Sequence, residues 1–201
     1  MTLLLLIRHG ENEYTRTGKL AGWTKGVHLN ETGQKQAQAV AERLNKANLA
    51  AIYSSPLERA LETAKPLAKA KGLKIQISEG LGEVRYGQWQ GKSLKVLART
   101  KLWKVVQQHP AMMEFPQGET LRAVQARAVN AVEQMVRDHP KATVAAFSHG
   151  DVIKLLVAHY LGLPLDLFQR IAINTASITA FRLGQGQPTL VKLNETPFEP
   201  H

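Results

Sequence analysis

Short apolar runs alternate with amphipathic stretches along most of this chain. Two runs, 3–7 and 143–147, are apolar almost throughout, which is typical of strands buried on both faces of a parallel sheet. The last two runs flank a Gly-rich turn and predict a terminal hairpin. The predicted strands are 3–7, 50–53, 73–77, 143–147, 178–183 and 189–193, with a loose tail after Asn194.

Between these strands, apolar residues recur three and four positions apart, as they do on one face of a helix. Asn30 stands as an N-cap before Glu31, and Gly72 ends the following helix. The predicted helices are 31–44, 57–71, 93–108, 121–138 and 151–161. This alternation predicts an α/β fold of three layers, a mostly parallel central sheet with helices on both faces. We expect residues 1–201 to form a single domain with a small helical lid at about 84–118.

A His-Gly pair follows each of the two most apolar strands. His9-Gly10 comes after the run 3–7, and His149-Gly150 comes after the run 143–147. Because the carboxyl ends of parallel strands open onto one crevice of the sheet, two such strands can bring histidines together that are far apart in the chain. The pattern therefore predicts a site in which two imidazole groups converge.

Composition narrows the chemistry of that site. The chain has no cysteine, which excludes disulfides, thiolate nucleophiles and cysteine-ligated metals. Its formal net charge of +10 favours anionic partners, and the basic residues are scattered, which favours a small phosphorylated molecule over nucleic acid. No apolar run reaches the length of a secretory core or a membrane span, so we expect a cytoplasmic protein without a membrane partner. The pattern leaves open whether the chain forms a homodimer.

Six short motifs give the chain a resemblance to a known family. They are Arg8-His9-Gly10-Glu11, 29–33, 53–60 with Thr63-Ala64, Glu83 with 87–91, Phe115-Pro116 with Gly118-Glu119, and Ser148-His149-Gly150. In this order they resemble the histidine phosphatase superfamily, which includes phosphoglycerate mutase and related phosphatases. The resemblance spans nearly the whole chain and implies the phosphoglycerate mutase-like form of the predicted fold.

This resemblance implies a phosphoryl-transfer site with five catalytic residues. His9 would be the nucleophile that forms a phosphohistidine, and Arg8, Arg59 and His149 would bind the phosphate. Glu83 would be the general acid that protonates the leaving oxygen and then activates water. These residue types suit the chemistry because the transition state spreads charge over three oxygens and needs fixed donors around them. We also expect a backbone carbonyl to bind the second ring nitrogen of His9 and so set its tautomer.

One position departs from the family pattern. Many relatives carry Asn six residues after the first histidine, where this chain has Thr15, whose hydroxyl can still donate one hydrogen bond to the phosphate. Trp23, Arg85 and Tyr86 lie near the motifs and are candidates for contacts with the organic part of the substrate, with a role in a surface loop as the alternative. We expect no cofactor and no metal, because a cation beside Arg8 would be electrostatically costly.

The activity depends on what receives the phosphoryl group. The resemblance implies that mutases pass it to a sugar acid and usually carry a long insertion after the general acid, whereas the stretch from Glu83 to Phe115 is short here. We therefore expect a hydrolase of a small phosphomonoester, of the histidine acid phosphatase type. The alternatives are a 2,3-bisphosphoglycerate-dependent phosphoglycerate mutase and, from another class, an inactive phosphate- or partner-binding module.

Overall fold

The computed structural model describes residues 1–198, in which six strands form one mixed sheet. The strands are β1 (Thr2–Arg8), β2 (Leu49–Ser54), β3 (Ile75–Ile77), β4 (Thr143–Ser148), β5 (Ile178–Leu183) and β6 (Thr189–Glu195). They lie in the order β3-β2-β4-β1-β5-β6. The first four are parallel, β5 is antiparallel to β1, and β6 is antiparallel to β5. This is the predicted mostly parallel sheet, with the hairpin along one edge.

Helices cover both faces of this sheet, as predicted. Within residues 1–198 they are α1 (Glu13–Arg16), α2 (Glu31–Arg43), α3 (Glu58–Lys71), α4 (Leu94–Leu97), α5 (Lys101–Gln108), α6 (Leu121–Asp138) and α7 (Gly150–Tyr160), with 3₁₀ turns at Glu79–Leu81, Gly87–Trp89, Pro110–Met112 and Leu165–Arg170. One core cluster joins α2 and α3 to one sheet face, and a second joins α6 and α7 to the other. None of the helices in this part of the chain is both long and apolar enough to cross a lipid bilayer.

The two histidine-bearing strands are neighbours in the middle of the sheet. β1 and β4 are parallel, and Arg8 lies opposite Ser148 in their register. Each strand is therefore followed by its histidine at the same edge. The alternating faces of β1 explain its uniform apolar sequence, because Leu4 and Leu6 enter one core cluster while Leu5 and Ile7 enter the other.

The prediction of a single helix at 93–108 is wrong. The structure has two shorter helices there, α4 and α5, separated at residues 98–100. The break has a local cause, since the Thr100 hydroxyl donates to the Leu97 carbonyl and accepts a hydrogen bond from the Trp103 amide. Such side-chain bonds to the backbone end one helix and cap the next without changing the apolar spacing.

Two strand boundaries also differ from the prediction. The strand predicted at 73–77 begins only at Ile75, because the Leu73 amide bonds back to Ala68 and closes the end of α3 after the left-handed Gly72. At the other end of the chain, β6 continues past the predicted start of a loose tail, and its last residue, Glu195, pairs with Ile178. The remainder of that predicted tail includes 199–201, which lie outside the described residues.

Candidate active site

The ends of β1 and β4 bring the two predicted histidines together. The ring centroids of His9 and His149 are 5.1 Å apart, with an angle of 58° between the ring planes. Both side chains are buried. A cavity of about 600 Å³ opens at this edge of the sheet, and His9, Arg8, Arg59 and Glu83 line it. The structure therefore assembles all five predicted catalytic residues in one place.

His9 presents one unprotonated ring nitrogen. Its Nδ1 lies 2.7 Å from the Gly10 carbonyl oxygen, as predicted, and because a carbonyl only accepts, Nδ1 carries the proton and Nε2 keeps its lone pair. Burial lowers the pKa of His9 well below 6.5, and the charges of Arg59 and Arg8 lower it further. His9 is therefore a neutral imidazole with Nε2 available as a nucleophile.

The loop that carries His9 is fixed from both sides. The Gly10 amide donates to the Thr63 hydroxyl of α3 at 2.9 Å. On its other side Gly10 meets Gly33 of α2 so closely that a Cβ on Gly10 would lie 2.7 Å from the Gly33 carbonyl oxygen. Only glycine fits this approach, so both motif glycines serve to place His9 between two helices.

The two arginines carry buried N–H groups without acceptors. Nε of Arg8 and both Nε and Nη1 of Arg59 have no hydrogen-bond partner within residues 1–198. Neither guanidinium forms an ion pair with a described carboxylate. The groups are held by carbonyls instead: Arg8 Nη1 donates to Ile173 at 2.6 Å and Arg59 Nη2 donates to Gly22 at 2.9 Å. Cations with buried, unpaired N–H groups beside His9 are suited to binding an anion.

His149 accepts a hydrogen bond at Nδ1 in this structure. Arg59 Nη2 lies 3.2 Å from that nitrogen, and since a guanidinium can only donate, Nδ1 is unprotonated. The proton of the ring is then on Nε2, which lies 2.8 Å from the Ser55 hydroxyl oxygen. Burial lowers the pKa of His149 well below 6.5, with Arg59 and His9 adding to the effect. The motif reading predicted neither this tautomer nor a role for Ser55.

Glu83 is a buried carboxyl group close to His149. Its Oε2 lies 3.8 Å from His149 Nδ1, and its Oε1 accepts a hydrogen bond from the Val84 amide at 2.9 Å. Burial and, to a smaller extent, the charge of Asp151 raise the pKa of Glu83 to about 7, against the opposing effect of Arg59. A carboxyl group that keeps its proton near neutral pH is suited to general acid catalysis.

The backbone of Glu83 is held by two side chains from distant segments. Trp23 Nε1 donates to the Glu83 carbonyl at 2.6 Å, and Arg127 Nη2 of α6 donates to the same oxygen at 2.9 Å. Arg127 also bonds the carbonyls of Gly80 and Gly82. No sequence motif marks Arg127, because its partners are backbone atoms that only the folded chain brings near.

Two of the three candidate substrate contacts lie outside the cavity. Trp23 and Arg85 do not line it; the Arg85 guanidinium instead lies 3.7 Å above the Trp23 ring, beside the support of Glu83. Tyr86 does line the cavity, and its hydroxyl donates to Asp151 Oδ2 at 2.9 Å. In this structure Trp23, from a distant segment, and Arg85, two residues after Glu83, pack beside the backbone of Glu83, and their contact with the substrate stays a prediction.

Asn12, next to the predicted phosphate contact Thr15, carries a polar group without a partner in the described part of the chain. The Thr15 hydroxyl donates to the Asn12 carbonyl at 2.8 Å and accepts from the Asn12 amide at 3.0 Å, so its single proton is already used in a capping box. The Asn12 side chain accepts from the Thr15 amide through Oδ1 and leaves Nδ2 buried without a partner among the described residues. Both residues line the cavity, and Asn12 supplies the free donor.

The outer part of the cavity combines apolar and charged side chains. The segment 84–118, predicted as a lid, contributes Tyr86, Trp89, Leu94, Trp103, Val106, Gln107 and Phe115. Trp89 and Trp103 stack with ring centroids 6.3 Å apart. Apart from Arg8, Arg59 and Glu83, the charged side chains that line the cavity are Lys19, Asp151, Lys154 and Arg170. In the part of the chain that the structure describes, no three His, Asp or Glu side chains are arranged to hold a metal ion.

Comparison with known proteins places the chain in a family. The family model described as histidine phosphatase superfamily (branch 1) matches residues 4–196. Phosphoserine phosphatase 1 of Hydrogenobacter thermophilus is 30% identical over 201 residues, which cover 98% of this chain and 93% of the relative. Glucosyl-3-phosphoglycerate phosphatase of Mycolicibacterium vanbaalenii is 33% identical over 174 residues, which cover 81% of this chain and 76% of the relative.

Solved structures agree with this placement. Bacillus stearothermophilus YhfR matches with a TM-score of 0.91 at 31% identity, covering 97% of this chain and 98% of that one. A mutant phosphoserine phosphatase of Entamoeba histolytica, in complex with phosphoserine, matches with a TM-score of 0.89 at 28% identity, covering 98% of both chains. The chain therefore belongs to the histidine phosphatase superfamily and has the phosphoglycerate mutase-like fold of its neighbours. The names of these relatives support a phosphatase of that superfamily.

Proposed function

We propose that this chain hydrolyses a small phosphomonoester through a phosphohistidine intermediate on His9. The observation that carries the proposal is the set of buried N–H groups of Arg8 and Arg59 that lack acceptors beside the free Nε2 of His9. A phosphate dianion would satisfy these donors and bring its phosphorus within reach of that lone pair. Asn12 Nδ2 would supply one further donor.

In the first half of the reaction, His9 Nε2 attacks phosphorus and the bond from phosphorus to the ester oxygen breaks. The Glu83 carboxyl gives its proton to that oxygen, so the product leaves as a neutral alcohol. The guanidinium groups of Arg8 and Arg59 stabilise the charge on the three equatorial oxygens. The products of this half are the free alcohol, a phosphorylated His9 and a Glu83 carboxylate.

In the second half, water attacks the phosphorus and the bond to His9 Nε2 breaks. The Glu83 carboxylate takes one proton from that water, which returns the carboxyl group to its starting form. Inorganic phosphate then leaves, and His9 is again neutral. A reaction of this kind needs His9 unprotonated and Glu83 protonated in the same molecule, which favours the acid side of neutrality and the histidine acid phosphatase type.

The substrate we infer is a phosphorylated metabolite with a second anionic group. Besides the residues of the proposed phosphate site, three cations, Lys19, Lys154 and Arg170, and one carboxylate, Asp151, line the cavity. The relatives named for phosphoserine and glucosyl-3-phosphoglycerate act on phosphate esters that also carry a carboxylate, which supports this class. The cavity volume of about 600 Å³ is within the range usual for small-molecule sites.

The test is a panel of phosphomonoesters, with and without a carboxylate, assayed for release of inorganic phosphate. We expect His9→Ala to lower kcat by about a thousandfold or more, because the nucleophile is lost. His159→Ala, an exposed histidine near the end of α7, is the matched control and should retain full activity. Turnover retained by His9→Ala would contradict the proposal.

The same assay separates the alternative activities. With 3-phosphoglycerate as substrate, a mutase forms 2-phosphoglycerate without free phosphate, whereas the proposed hydrolase releases phosphate. A binding module without catalytic activity would retain affinity for inorganic oxyanions and show no turnover of any ester. We expect phosphate release, with higher kcat/KM for the esters that carry a carboxylate.

A further inference from the structure

Arg59 and a bound phosphate would require opposite protonation states of Nδ1 of His149. In the structure Nδ1 of His149 faces Arg59 Nη2 at 3.2 Å and must be unprotonated, because a guanidinium has no lone pair to offer. The phosphate oxygens of the proposed substrate have the opposite requirement, since the dianion of a phosphomonoester can only accept. If Nδ1 is to bind the phosphate, it must carry a proton that it lacks in the free protein.

The second nitrogen of the ring decides how that proton can be gained. Nε2 already carries a proton and lies 2.8 Å from the Ser55 hydroxyl oxygen. Ser55 is fully buried, and its oxygen also accepts from the Leu57 amide, which orients it toward the ring. The hydroxyl oxygen of Ser55 is thus placed as the acceptor of the Nε2 proton. Gain of a proton at Nδ1 keeps this hydrogen bond, whereas exchange of one tautomer for the other would reverse its direction.

We propose that anion binding at this site takes up one proton from solvent onto Nδ1 of His149, and that Ser55 is the positioning residue that makes the resulting imidazolium possible. The inference rests on the phosphate site proposed above. The bond formed is N–H at Nδ1, the bond at Nε2 is kept, and the ring changes from neutral to a charge of +1. Glu83 keeps its own proton for the leaving oxygen.

The electrostatic surroundings of His149 favour this coupling. The charged and titratable groups that act on the ring are Arg8 and His9 at the end of β1, Arg59 on α3, Glu83 after the first 3₁₀ turn, and Arg127 on α6. In the free protein the three arginines and burial hold the pKa of His149 down. A bound dianion reverses the sign of the nearest charge and so raises that pKa. Ser55 accepts from Nε2 in both states and stabilises the cation.

The first test uses nitrogen NMR of the imidazole groups in the uniformly labelled native protein. The probe is tungstate, a tetrahedral dianion that brings no proton of its own at neutral pH. The resonances of His149 are identified by their loss in His149→Gln. We expect one protonated nitrogen, Nε2, in the free protein and two protonated nitrogens in the complex. A complex in which Nδ1 stays unprotonated would overturn the proposal.

The second test is the pH dependence of tungstate affinity. Uptake of one proton makes the dissociation constant rise about tenfold for each pH unit above the pKa of the free ring. Ser55→Ala should weaken binding by about tenfold near pH 6 and flatten this slope, because the imidazolium loses the acceptor for its Nε2 proton. Ser54→Ala removes an equally buried hydroxyl, which donates to the Ser55 carbonyl, and should leave the slope unchanged.

The possible results separate this inference from the function on which it rests. Tungstate that binds with an affinity independent of pH would overturn the proton uptake and leave the phosphate site intact. Failure of tungstate to bind the native protein would overturn both. If Ser55→Ala does not fold, the native NMR experiment still decides the outcome, because it requires no variant of Ser55.

Discussion

At the scale of single residues, the surroundings displace the pKa values of the proposed nucleophile, His9, and the proposed general acid, Glu83, in opposite directions. Burial and two arginines lower the pKa of His9, so the ring stays neutral in mild acid. Burial and the charge of Asp151 raise the pKa of Glu83 to about 7, so this carboxyl keeps its proton. At ordinary pKa values, a solution in mild acid would hold a partly protonated histidine and an ionised glutamate. The displaced values make the reactive combination the common one.

Asp151→Asn should shift the basic limb of the activity profile to lower pH. The carboxylate of Asp151 disfavours the charged form of Glu83, so removing that charge lowers the pKa of Glu83 and ionises it earlier. The native enzyme should lose kcat/KM as pH rises through about 7, and Asp151→Asn should lose it at a lower pH. The measurement is kcat/KM against pH with one phosphomonoester.

The control for this shift is Asp138→Asn at the end of α6, whose carboxylate accepts from Gln134 and is exposed. Its basic limb should match that of the native enzyme. An Asp151→Asn profile that moves to higher pH, or does not move, would contradict the assignment of Glu83 as general acid.

The sequence motifs predicted the groups that the structure brings together at the candidate site, but not the groups that fill their remaining hydrogen bonds. His9, Arg8 and Arg59 follow from short, local sequence patterns, and the structure brings them together. The free donor on Asn12 was missed, because it depends on how the side chains of Asn12 and Thr15 share the cap of α1. The Asn-x-x-Thr spacing of a capping box was the signal that could have indicated it.

At the scale of elements, strands buried on both faces were the most predictable. β1 and β4 lie within about a residue of their predicted bounds, because their apolar runs fill two cores at once. The prediction of one helix at 93–108 failed because apolar spacing carries no information about a hydroxyl that bonds the backbone, as that of Thr100 does. Helix periodicity also could not predict which polar residue of α6 turns toward the active-site loop.

Arg127→Met should slow catalysis without weakening anion binding. Arg127 binds the carbonyls of Gly80, Gly82 and Glu83, and its Nε pairs with Glu119 at 2.9 Å. Without these hydrogen bonds, the loop that carries Glu83 loses its position relative to the leaving oxygen. A small displacement of a catalytic group can lower the rate by up to about a hundredfold. We expect a fall in kcat of about tenfold or more, measured beside the dissociation constant for tungstate.

The matched control is Arg137→Met on the same helix. Its guanidinium is exposed and bonds Gln134 and Glu133 on the surface of α6. The control variant should keep the native kcat. An equal loss of kcat and of tungstate affinity in Arg127→Met would indicate damage to the whole site instead of displacement of the general acid.

At the scale of the whole molecule, no local sequence pattern could predict which strands lie next to each other in the sheet. β1 and β4 could be predicted as strands, but their adjacency, with β2 beyond β4, is set by how the helices cover the two faces. That adjacency places two imidazoles and two guanidiniums in one buried region. Burying these groups together favours function at the expense of stability, because each has a cationic form that loses hydration. The free energy of unfolding should therefore depend on the same titrations as catalysis.

Acid should destabilise the fold below about pH 6.5, and His149→Gln should reduce that effect. His9 and His149 have folded pKa values below 6.5, so the unfolded chain binds protons that the folded one refuses, and stability falls as pH falls. The raised pKa of Glu83 has the opposite effect on stability between pH 4.5 and about 7, but it involves one proton, whereas the two histidines involve two. Removing His149 should reduce the slope of the unfolding free energy against pH by up to about 1.4 kcal/mol per pH unit, measured by urea unfolding at several pH values.

His28→Gln is the contrasting variant and should make that slope steeper. Glu62 raises the pKa of the exposed His28 ring, so the stabilisation by His28 is present in acid and is lost as pH rises. An unchanged slope in His149→Gln would mean that the ring already carries its proton in the free fold.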